Sequence, residues 1–308
     1  MSLRSLRPAV GIVLLQLVSL VPIAMACALH GSAPLPLPAE VNIREGERDD
    51  GARASGWTGS VHVTGAAGST RFGTSATGGA VLRERTWMLH GAVFPWPTVG
   101  LGASVPVVAR RIELPDESRQ SLRGIGDVGV EVRWRPFARV AQSGPSLEWM
   151  AGALLPTAPL AREDGVHFHP DVQLGAGVIV PRIGLQVTSP LSPSLRLLAG
   201  SDALWAPRSP DGVQRAATVR LHPGIAWSVA PPLTLQLAGP LRHEGRTRAD
   251  GEVLTGSGGT VLGLEPRVRW HVGQGLHLEA AALLPLWQGL RGGQRDGVSA
   301  TAGAGWRF

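Results

Sequence analysis

The chain has no lysine and no tyrosine, one cysteine, Cys27, and one asparagine, Asn42. Each scarcity excludes something. With a single cysteine no internal disulfide can form, so the fold rests on packing and hydrogen bonds. All 29 basic residues are arginine, and 23 acidic residues leave a formal charge of +6, which falls by two if Arg4 and Arg7 are cleaved away with a leader. No block of five or more basic residues occurs, which argues against nucleic acid as a partner. Beyond the first residues no run of about 18 apolar residues exists, so helical membrane spans are not supported.

What is plentiful points elsewhere. The chain has 41 glycines and 25 prolines, yet 44% of its residues are hydrophobic. That is too apolar for disorder and too rich in glycine for a helical bundle. Arg4 and Arg7, then the apolar stretch Ala9 to Val21, then Ala24-Met25-Ala26, read as an export signal over residues 1–26. Cys27 follows the cleavage site, so two expectations stay open: lipidation of a first-position cysteine, or an incidental cysteine. Residues 27–56, proline-rich and then charged, read as a flexible lead-in.

From residue 57 onward a two-residue period returns again and again. In "GDVGVEVRWRP", Val128, Val130, Val132 and Trp134 share one face, while Asp127, Glu131, Arg133 and Arg135 share the other. Twelve strands follow from this pattern: 57–66, 80–94, 98–112, 124–135, 146–157, 171–187, 195–206, 214–229, 233–246, 260–272, 276–287 and 298–308. Tight or proline-rich turns alternate with longer polar loops. Short turns on one rim and longer loops on the other are the pattern of a transmembrane antiparallel up-and-down β-barrel, here over residues 57–308. Tryptophans near the strand ends suit an interfacial girdle. An even strand number puts both termini on the periplasmic side and the long loops outside. A soluble sandwich also alternates, but its polar face would not be built so largely of glycine, serine and paired charges.

The closing "TAGAGWRF" resembles the last strand of bacterial outer-membrane β-barrel proteins, which end in Phe after alternate apolar residues. Ala300, Ala302, Ala304, Trp306 and Phe308 fit. The resemblance implies that Trp306 and Phe308 form a signal for the barrel-assembly machinery, and that outer-membrane lipid surrounds the wall. A narrower resemblance covers roughly residues 85 to 308. "RGIGDVGVEVRWRP", "LLPTAP" and "HPDVQLGAGVIV" look like the outer-membrane transporter family named for the meta-pathway of phenol degradation. Gly124, Gly126 and Asp127 match its Gly-x-Gly-Asp strand start, and Leu155, Pro156 and Thr157 match most of its Leu-Pro-Thr-Gly strand end, with Ala158 in place of the last glycine. The implied solutes are small, hydrophobic or aromatic. Transporters of the fatty-acid type resemble the chain less, because their N-terminal hatch does not fit into 34–56 and their Asn-Pro-Ala motif is absent.

On this reading the lumen is lined by Asp127, Glu131, Arg133, Arg135, Glu148, Asp171, Gln173, Arg196, Arg220, His222, Gln236, Arg242, Glu265, Arg267, Arg269, His271, Glu279 and Arg307. Mixed charges suit a hydrated narrow channel. The alternative is arginine–carboxylate ladders that fill a plugged structural or surface-binding barrel without transport, since twelve strands lie between the filled and the open barrels. An enzyme is not expected. A barrel phospholipase uses Ser, His and Asn on its outer face, and no strand here holds an asparagine. His167 and His169, with Asp164 or His62, are the one metal-like cluster, but paired surface histidines are usually solvated, so neither metal nor other cofactor is expected.

Overall fold

The computed structural model describes residues 57–308 except 74–78, 117, 138–143, 165, 169 and 274. The expected leader, the lead-in and Cys27 lie outside the described residues. Twelve antiparallel staves close into one barrel. They are β1 (Thr58–Phe72), β2 (Ala80–Trp96), β3 (Val99–Glu113), β4 (Arg119–Ile125 continuing as Val128–Trp134), β5 (Ser146–Leu155) and β6 (Val180–Pro190). The second half comprises β7 (Leu195–Leu204), β8 (Thr218–Ala230), β9 (Leu233–Ala238 continuing as Leu241–Glu244), β10 (Gly259–His271), β11 (Leu276–Leu290) and β12 (Ser299–Arg307, preceded by Arg295–Asp296). Each stave pairs with its neighbours in sequence, and β1 closes the ring on β12, with Val61 opposite Trp306 and Ala67 opposite Ala300. The described residues include no helix.

The wall is inside out by the standard of a soluble protein. Leu89, Leu101, Val130, Val132, Ile183 and Leu237 are exposed on the outer surface, while Glu84, Arg110, Glu148, Arg220, Arg267 and Arg269 are buried on the inner one. Water around such a wall would leave a continuous apolar belt unburied, and lipid removes that cost. Alternation alone decides which residue faces where, because a strand has period two. Trp96, Trp134, Trp149, Trp227, Trp270 and Trp306 all stand exposed near the rim that carries the short turns. Trp87 lies farther up β2 and lays its ring over Gly65 of β1, where a Cβ would come within 2.5 Å of that ring.

Three expectations change. The first strand runs to Phe72 rather than residue 66, and it is the stave that closes the ring. The loop expected at 113–123 shrinks to 114–118, because Arg119–Ile125 continues the ladder with β3. The strand expected at 171–187 begins only at Val180. Residues 156–179 leave the wall and turn into the lumen, where Val172 and Gln173 are wholly buried. Pro156, Pro159 and Pro170 cannot donate to a ladder, so this stretch is poorly made for a stave despite its alternating letters.

Candidate functional site

The inward segment is fastened at one carboxylate. The chain breaks between the two parts of β4 at Gly126-Asp127, and the Asp127 side chain points into the barrel. Its Oδ1 accepts the backbone N–H of Ala158 at 3.2 Å and its Oδ2 that of Ala176 at 2.7 Å, so both ends of the segment hang on one residue. Gly175 makes this approach possible, since a Cβ there would collide with the carboxylate. Thr157 adds a second tie: its hydroxyl donates to the Gly126 carbonyl at 3.0 Å and accepts the Val128 N–H at 2.9 Å. Gly126-Asp127 and Pro156-Thr157, which the sequence gives as separate family motifs, thus meet as one latch.

Further ties hold the segment's middle. Gln173 folds it on itself through the N–H and carbonyl of Ala161, at 2.8 and 2.9 Å. Arg110 of β3 donates to the Gln173 carbonyl. Arg215, before β8, donates to the carbonyls of Pro170 and Gly175 at 3.0 and 3.1 Å. Val172 packs against Leu82 and Ile112, with Phe72, Leu122 and Phe168 beside them. The segment therefore narrows the long-loop half of the lumen, and between it and the wall a cavity remains, lined by residues of β2, β3, β7 and β8.

Of the residues named from sequence as lumen-facing, Glu131, Arg133, Arg135, Glu148, Arg196, Arg220, His222, Gln236, Arg242, Glu265, Arg267, Arg269, His271, Glu279 and Arg307 stand on the inward parity of their staves or just beyond a stave's end. Asp171 and Gln173 belong to the inward segment rather than to a stave. The charges form short chains. Arg267 bridges Glu265 at 2.9 Å and Glu279 at 3.1 Å, and Arg269 reaches Glu279 at 3.0 Å. Arg133 joins Glu131 at 2.6 Å to Glu148 at 3.5 Å, with Arg135 on the far side of Glu148. Arg242 holds Asp296 at 2.6 Å.

Sequence reasoning missed Glu84, Arg110, Arg182, Asp202 and Arg215. Asp202 pairs with Arg220 at 2.7 Å, and Arg182 with Glu131 at 3.3 Å. Glu84 and Arg110 form a buried pair at 2.6 Å. Apolar Leu82, Met88, Val108 and Ile112 share their inward face, so the period shows two faces there without saying which is the lumen.

The histidines are also closer than their spacing suggests. His90, His62, His277 and His271 stand in one cross-strand row over β2, β1, β11 and β10, with Gly305 of β12 in the gap between His62 and His277. Successive ring centroids are 6.5, 5.1 and 6.1 Å apart. Arg133 donates to His90 Nε2 at 2.9 Å, which puts the His90 proton on Nδ1. Within this row His62 packs on His277, and the expected cluster of His167 and His169 with Asp164 or His62 rests on side chains outside the described residues. His169 and the side chain of His167 lie outside the described residues. Among the described residues no group of three His, Cys, Asp or Glu side chains is placed to hold a metal ion. On the outer wall His243 Nδ1 meets Thr260 Oγ1 at 2.8 Å, and no carboxylate orients that ring.

No family model matches the sequence, and no curated protein matches it. Solved structures do. An outer-membrane channel from Pseudomonas putida F1 superposes with a TM-score of 0.64 at 12% identity, over 82% of this chain and 95% of that one. The β domain of the Bordetella autotransporter BrkA superposes with a TM-score of 0.51 at 13% identity, over 82% of this chain and all of that one, 100%. At such identities the likeness speaks for the fold: the chain has the closed, antiparallel, twelve-stave fold of bacterial outer-membrane β-barrels.

Proposed function

We propose that the chain spans the bacterial outer membrane as a narrow passive channel for small solutes, with segment 156–179 setting its width. The observation that carries this is the latch. Asp127 holds a folded segment inside a barrel whose inner wall is charged and whose outer wall is apolar, an arrangement that constricts a passage without adding to the wall. Short turns and both ends of the barrel face the periplasm, and the long loops face outward. The likeness in fold to a solved outer-membrane channel supports passage, and the Gly-x-Gly-Asp resemblance supports small hydrophobic or aromatic solutes. Trp306 and Phe308 serve assembly, and no catalytic residue is assigned.

The test is single-channel conductance of the refolded protein in a planar bilayer, with liposome swelling for uncharged solutes. Small, stable conductance steps are expected. Folded protein that never conducts would support a barrel closed at rest. That second reading has its own observation: near the short-turn rim Arg269 is 0% and His277 1% exposed, so charged side chains pack the wall tightly there.

A further inference from the structure

The cavity beneath the inward segment is lined by both apolar and charged residues. Ala176, Val180, Leu204 and Ala206 form one cluster, with Leu154 against them. Met88 and Val108 also line the cavity. Five charged side chains also line it: Arg110, Arg215, Asp127, Asp171 and Glu244. Four are already engaged. Arg110 pairs with Glu84 at 2.6 Å, Glu244 with Arg242 at 3.1 Å, and both oxygens of Asp127 accept backbone N–H groups. Asp171 is engaged as well.

Arg215 differs. Its guanidinium donates only to two carbonyls, its Nε has no hydrogen-bond partner, and among the described residues no carboxylate lies at ion-pair distance. Burial and the nearby charge of Arg110 pull this guanidinium below its usual range, against the more distant carboxylates of Asp171, Asp211 and Asp127. A buried charge that no carboxylate contacts directly is costly, and a concave cavity with apolar lining and a small number of placed polar groups is the usual form of a small-molecule site.

We infer that this cavity binds a small organic carboxylate, its acid group on Arg215 and its apolar body against Val108, Val180 and Leu204. The inference rests on the channel reading, since the ligand would be a solute held at the constriction. Carbonyl-bonded Arg215 could instead be a strap for the segment alone, and the three carboxylates could favour an amine, so the test separates these.

Equilibrium dialysis or calorimetry on the folded, detergent-solubilised protein is run with hexanoate, acetate, hexanol and hexylamine as probes. Hexanoate should bind at least tenfold more tightly than the other three, since each lacks either the apolar body or the negative charge. Arg215→Leu should weaken hexanoate at least tenfold. Leu204→Trp, which fills the cavity and leaves Arg215 in place, should abolish binding; both variants are checked for the heat-modifiable mobility of a folded barrel. Equal binding of hexanol, tighter binding of hexylamine, or unchanged hexanoate binding in the folded Arg215→Leu variant would overturn the inference. So would absence of hexanoate binding to the wild type. Because binding is read without a membrane, conductance without binding sinks this inference alone, and binding without conductance sinks the channel reading alone.

Discussion

Glu279 shows at the scale of one residue what the lumen charges do. It accepts from Arg267 and Arg269 together, and Arg269 is fully buried. Replacing the ion pairs wholesale with apolar residues would cost little, but removing Glu279 takes away the one carboxylate that the two buried cations share, leaving Arg267 with Glu265 and Arg269 without its ion pair to Glu279. Glu279→Gln is therefore expected to destabilise the folded barrel by about 3–5 kcal/mol. Glu113 offers the comparison: its contact with Arg119 is 3.9 Å long at the exposed rim, and Arg119→Gln is expected to cost under about 1 kcal/mol. Urea titration of tryptophan fluorescence in lipid vesicles reads both. Equal, small effects would mean that water reaches Glu279 freely and that the short-turn half of the lumen is open rather than packed.

At the scale of elements the informative piece is the segment that is not a stave. Alternation in "DVQLGAGV" reads as a strand, and locally only the prolines before it argue otherwise, because Val172 and Leu174 do alternate with polar and small residues. The deciding partner lies 31 and 49 positions away, in the carboxylate of Asp127. Long-range satisfaction of this kind is not written in a local period, whereas the β12 stave is: Ala300 to Trp306 alternate, pair on both sides and need no distant side chain. The same limit hid Glu84 and Arg110, whose stretch of wall is half apolar inside. The motif letters were legible before their purpose was. Asp127→Ala leaves two buried N–H groups unmet, each about 1.5–3 kcal/mol when the lost acceptor is charged. The segment should then leave the lumen, raising conductance severalfold and opening the chain before Val172 and Leu174 to thermolysin. Asp127→Asn, which keeps one acceptor oxygen, should fall between. An Asp127→Ala protein with wild-type conductance and protease resistance would show that Thr157, Gln173 and Arg215 hold the segment without the latch.

The whole molecule fixes how the barrel sits in its membrane. The short staves β5 and β7 have 10 residues each. At a rise of about 3.3 Å per residue and a tilt of about 40°, each spans about 25 Å along the barrel axis, the height of an outer-membrane apolar band. β2 has 17 residues and ends at the same short-turn rim, so its excess stands above the lipid on the long-loop side. The Phe72, Leu82, Ile112 and Val172 cluster belongs to that raised wall, which explains why a protein with an apolar exterior also needs an apolar core at one end. The tryptophans provide the measurement. Seven of them, Trp57 included, mark the short-turn rim, while Trp205 and Trp287 lie toward the opposite one. In vesicles carrying nitroxide lipids, a label at the headgroup should quench the fluorescence more strongly than a label at the chain end. Trp134→Phe with Trp149→Phe removes a directly paired couple from the short-turn rim and should lower that difference without altering conductance. Equal quenching by both labels would place these rings at the middle of the bilayer and shift the barrel along the membrane normal. The raised wall of β1 to β3, with Arg83, Arg111 and Arg119, would then stand still farther above the lipid, and the part of the apolar belt nearest it would be left in water, a cost that the belt's exposed Leu, Val and Ile make untenable.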